Sequence, residues 1–147
     1  MKKFFFKLDS VLKYREHQEK KARTDLSDAK KAWLETQNLV EGLVERKEEN
    51  LAQLRIDAMQ GMAASWYMEC QNYVRRLDDE LELARNDLEK QNRIVEEKRA
   101  FLKREYMKKE SLGMLKISYK EKHEKWVEME EQKNLDEMIL IRRGGLH

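Results

Sequence analysis

Proline is absent from this 147-residue chain and glycine occurs only five times, so long stretches contain nothing that stops a helix. Cysteine occurs once, as Cys70, which rules out an intramolecular disulfide and fits a reducing compartment. Long apolar runs are missing too. Residues 138–141 (Met-Ile-Leu-Ile) fall far short of the roughly 20 residues that span a bilayer, and Phe4, Phe5 and Phe6 are followed too soon by Lys7 and Asp9 to form a secretory signal. A soluble cytoplasmic chain is the expectation. Neither charge sign dominates: 31 basic and 29 acidic residues leave a formal net charge of +2. That balance argues against nucleic acid as a partner. The basic groups that stand out are Lys2, Lys3 and Lys7, and then Lys98, Arg99, Lys103, Arg104, Lys108 and Lys109. Glu96, Glu97, Glu105 and Glu110 interrupt the second group, which therefore reads as a solvated helix face.

What is present is mostly Glu, Lys, Leu, Arg, Ala, Gln and Met, the mixture that long helices and coiled coils use. A seven-residue pattern runs through Leu8, Val11, Arg15, Gln18, Ala22, Leu26, Ala29, Trp33, Thr36, Val40, Leu43, Lys47, Asn50 and Leu54. A second runs through Tyr67, Cys70, Val74, Leu77, Leu81, Ala84, Leu88, Gln91, Val95, Lys98, Leu102, Glu105, Lys109 and Leu112. Most positions in each are apolar, so each helix carries a stripe that a partner helix must cover, and the period implies a left-handed supercoil.

Between the stripes, residues 57–65 lose the phase around Gly61, a residue suited to ending a helix, with Ser65 as the expected cap of the next. Folding there brings Leu54 near Tyr67 or Cys70, and Leu8 near Leu112 or Leu115. The expected fold is all-α: a single-domain antiparallel coiled-coil hairpin with helix one at about 9–58, a turn at about 59–65, helix two at about 66–138 and a frayed tail at 139–147. The second helix resumes its pattern as Leu115, Tyr119, Lys122, Trp126 and Met129, overhanging the first. The expected seam includes Leu26, Trp33, Val40, Leu54, Val74, Leu81, Leu88 and Leu102.

Two paired helices offer no dry concave pocket, and the chain carries no Gly-rich phosphate loop, no GxSxG and no HExxH. His17, His123 and His147 lack partners at metal-ligand spacing, and Cys70 reads as a small seam residue. The expectation is a non-enzyme with no cofactor, metal or small-molecule substrate. Apolar residues off the seam carry more information, because a two-helix pairing exposes them: Leu39, Trp66, Tyr73, Leu83 and Ile94. Three of these, Leu39, Trp66 and Tyr73, cluster toward the turn, the first candidate for partner contact.

The stretch Phe6-Lys7-Leu8-Asp9-Ser10-Val11-Leu12-Lys13-Tyr14-Arg15 resembles the Phe-x-Leu-x-x-Val-Leu-x-Tyr-Arg opening of the FliJ family, and Trp66-Tyr67-Met68-Glu69-Cys70-Gln71-Asn72-Tyr73-Val74-Arg75-Arg76-Leu77 resembles the start of that family's second helix. The likeness spans nearly the whole chain. It implies a cytoplasmic part of the flagellar type III export apparatus, similar to the central stalk subunit of rotary ATPases and peripherally associated with the membrane through that apparatus. The implied partners are a hexameric export ATPase, the cytoplasmic domain of the export gate protein, and export chaperones. Positions matching gate contacts are Leu39, Leu43, Tyr73 and Leu77, whereas Arg46 and Asn50 depart from the aromatic character of that face. The likeness places the ATPase contact on the paired termini, and Lys98, Arg99, Lys103 and Arg104 are the candidates on the second arm. The competing readings are a generic coiled coil that dimerises through one continuous helix per chain, and a polyanion binder using residues 98–109.

Overall fold

The computed structural model describes residues 3–145. Helix α1 runs over Asp9–Gln60 and helix α2 over Ala64–Gly144, and no strand occurs among the described residues. The two helices pair antiparallel as a hairpin. Leu8 opens α1 by accepting the backbone bond from the Leu12 N–H at 2.9 Å, and Asp9 places a carboxylate in the first turn, where the helix dipole favours it.

The turn is tighter than the sequence suggests, with only residues 61–63 outside helix rather than 59–65. Gly61 carries a φ of 98°, the only positive φ among the described residues, and this reverses the chain. Helix α2 starts before the expected cap: the Ala63 carbonyl already accepts from the Tyr67 N–H at 3.0 Å, so Ser65 lies inside the helix. This reversal excludes the single continuous helix of the dimer reading. At the other end, residues 139–144 are helical where a frayed tail was expected. Nothing before Gly144 breaks the helix, and Arg142 and Arg143 complement the dipole of its last turn. The expectations for Lys2 and His147 fall outside the described residues.

Two units make up the chain, residues 22–102 and the terminal segments within 1–21 and 103–147. The unit around the turn has an aliphatic seam. Leu43, Leu77, Leu81 and Ala84 form one buried cluster with Val40 and Val44 against it, and Leu26, Ala29 and Val95 form another with Trp33 and Leu102. Burying each Leu contributes on the order of 1.5–3 kcal/mol. Polar seam residues are satisfied close by: Thr36 donates to the Ala32 carbonyl, Asn50 donates to the Arg46 carbonyl, and Lys47 pairs with Asp78 on the other helix.

The terminal unit is held differently. Its buried residues are Phe6, Leu12, Glu19 and Glu105. The start of α1 lies one residue off the expected stripe: Leu12 and Glu19 are buried where Val11 and Gln18 were expected, and this restores an unbroken alternation of four and three from Leu8 to Leu54. On α2 the inward positions include Lys116 and His123 rather than Lys122. Non-helical residues 3–6 continue the pairing, with Phe6 edge-on to Tyr119 at 5.8 Å and Phe4 against His123 at 5.6 Å. Past Glu130, every described residue of α2 is exposed.

Candidate partner-binding surfaces

The four positions matched to gate contact separate by burial. Leu43 and Leu77, at 4% and 2% exposed, belong to the aliphatic cluster and set the distance between the helices. Leu39 and Tyr73, at 56% and 37%, remain on the surface. Each sits immediately before a seam residue, Val40 and Val74, and in an antiparallel pair that position falls on the same side of the seam. Trp66 lies one heptad before Tyr73 and so shares that side, and it is also exposed. Between the helices on this side is an open groove of about 530 Å³, bordered by Gln53, Leu54, Trp66, Cys70 and Tyr73. Arg76 reaches over the Tyr73 ring, 5.9 Å from its centre, which fixes the ring's outer face beside a positive charge. The other side of the seam carries a smaller groove bordered by Leu51, Tyr67 and Val74.

The four basic candidates do not form one cluster. Lys98 is half-buried in the seam, and Arg99 donates to Glu96 at 3.0 Å on its own helix face. Lys103 and Arg104 are exposed and belong to the terminal unit. That unit also presents Leu135, Met138, Ile139, Leu140 and Ile141 to solvent on α2, followed by Arg142 and Arg143.

Sequence reasoning missed Phe6, Glu19 and His123 as inward-facing residues. For Phe6 a signal existed, since it opens the family-like signature, whose Leu12 and Arg15 also face inward, Arg15 toward Glu105 at 3.7 Å. Glu19 gave none: it is a carboxylate in an apolar stripe, and Lys109, which approaches it at 3.9 Å, comes from the other helix. At the head of α1, Asp9 accepts from Lys116 at 3.0 Å and pairs with Lys13. The Lys116 hydrogen bond, aided by the charges of both lysines, holds the Asp9 carboxyl below its ordinary value.

No group of three or more His, Cys, Asp or Glu residues able to hold a metal ion occurs among the described residues, and none of their helices is long and apolar enough to cross a membrane. The fold and its surfaces define a helical-hairpin protein that exposes large apolar side chains outside the seam, among them Leu39, Trp66 and Tyr73. The flagellar FliJ protein family matches residues 4–145, and the chain belongs to that family, as a component of the flagellar export apparatus. No curated protein and no solved structure matches the chain.

Proposed function

We propose that the chain is a non-catalytic stalk and adaptor that links the hexameric export ATPase to the cytoplasmic domain of the export gate and engages export chaperones. One observation carries this reading within the family: large apolar and aromatic side chains are exposed in each unit, outside the seam that holds the helices together. Leu39, Trp66 and Tyr73 serve the gate from the side of the turn-proximal groove, while Leu43 and Leu77 position them from the seam. The terminal unit serves the ATPase through Lys103 and Arg104 and the exposed apolar residues 138–141. Lys98, half-buried, supports the pairing and does not reach this partner.

The test is co-sedimentation with the cognate ATPase and, separately, with the gate's cytoplasmic domain. The expected result is co-migration with both and a change in ATPase assembly or hydrolysis. A Tyr73→Ala variant is expected to lose at least about tenfold in gate affinity, the effect of removing an aromatic contact worth upwards of 1.4 kcal/mol, while keeping ATPase binding. Failure of the wild-type chain to bind the ATPase or alter its assembly overturns the reading.

A further inference from the structure

A pair of buried carboxylates interrupts the seam of the terminal unit. Glu19 and Glu105 are 3% and 4% exposed, the only buried acidic residues among those described. Their ion pairs cross between the helices: Arg15 approaches Glu105 at 3.7 Å, and Lys109 approaches Glu19 at 3.9 Å. In an antiparallel pair this crossing sets Glu19 level with Glu105, and Arg15 level with Lys109 one turn away. Both distances exceed hydrogen-bond length. Lys108 donates to Oε1 of Glu105 at 3.2 Å, whereas Oε2 has no hydrogen-bond donor.

Taking two carboxylates out of water costs several kcal/mol each, and ion pairing in a buried layer returns only part of it. Elsewhere in this unit little compensates. Phe6 and Leu12 are its only buried apolar residues among those described, against nine in the turn-proximal unit, from Ala22 to Val95.

We infer that the Arg15, Glu19, Glu105 and Lys109 layer makes the terminal pairing a separately opening unit, a conformational device that lets residues 9–21 part from residues 103–119 while the aliphatic seam of residues 22–102 stays closed. Opening uncovers Lys116, from whose ammonium Asp9 accepts in the closed state. The inference concerns the chain alone and stands whether or not the export reading holds.

Amide hydrogen exchange of the full chain tests it. Residues 12–19 and 105–116 are expected to exchange through one common opening, with protection at least about tenfold below that of residues 26–54 and 70–98, and with a step at Glu19 and Glu105. A charge-neutral quadruple variant, Arg15→Met, Glu19→Leu, Glu105→Leu and Lys109→Met, is expected to raise terminal protection about tenfold or more, within the gain that replacing buried ion pairs by apolar groups can give, and to leave the other segments unchanged. Equal protection along the wild-type seam, or a smooth decline toward the ends with no step, overturns the inference. So does unchanged or lowered terminal protection in the variant. The wild-type profile decides the matter even if the variant fails to fold.

Discussion

Gly42 and Gly61 separate two effects of adding a methyl group. Beyond the local backbone and chain neighbours, neither would place a Cβ within 4 Å of another atom, so packing is equal in both cases and the backbone alone decides. Gly42 lies in mid-helix, where Ala lowers the entropy lost on folding. Gly42→Ala is therefore expected to stabilise the hairpin by about 0.5–1 kcal/mol in urea denaturation. Gly61 holds a φ of 98°, a region that a Cβ disfavours, and Gly61→Ala is expected to cost about 1–2 kcal/mol in the same assay. Asp9 offers a pH test. Its folded carboxyl sits below its ordinary value of 3.8, so protonation favours the unfolded chain. The stability it contributes is present above the unfolded value and is lost as pH falls through the lower folded one. Proton titration followed by NMR is expected to give an Asp9 midpoint below 3.8, returning toward it in Lys116→Met.

Along the helices, a shift of one residue decides whether a side chain holds the fold or stays exposed. Leu77 lies in the seam and Leu39 one position off it. Leu77→Ala is expected to cost about 2–4 kcal/mol by thermal or urea unfolding, while Leu39→Ala stays within about 0.5 kcal/mol of the wild type. The family likeness grouped Leu39, Leu43, Tyr73 and Leu77 as one contact surface, whereas the seven-residue period already set Leu43 and Leu77 in the seam, where the structure buries them. For α2 the seam positions from Cys70 to Leu112 were readable without help, since buried or half-buried residues recur there at the expected steps. The start of α1 was not. Val11 and Leu12 are adjacent and both apolar, so local pattern cannot choose between them. The deciding residue is Glu19, a carboxylate in the seam that Lys109, about 90 residues away in the chain, approaches from the other helix. The turn was legible in Gly61, but its length was not, because backbone hydrogen bonding at Ala63 starts α2 without a side-chain cap.

For the whole molecule, the sharpest division is between the part of α2 that has a partner and the part that has none. Trp126, at the edge of the His123 contact, and half-buried Val127 and Glu130 mark the last positions with any cover. Beyond them all described side chains are exposed, and a helix without a covered face adds little to stability beyond its own marginal propensity. Deleting residues 131–147 is thus expected to remove helical signal roughly in proportion to the residues lost while leaving the urea midpoint of the hairpin unchanged within error. The same deletion removes Leu135, the apolar residues 138–141 and the two arginines after them, so the proposed stalk reading expects binding to the hexameric ATPase to fall while binding to the gate's cytoplasmic domain persists. Circular dichroism with urea checks the first expectation, and co-sedimentation with each partner checks the second. A drop in the urea midpoint would show that the segment has a structural partner within the chain. Full ATPase binding by the shortened chain would move that contact to Lys103, Arg104 and their neighbours.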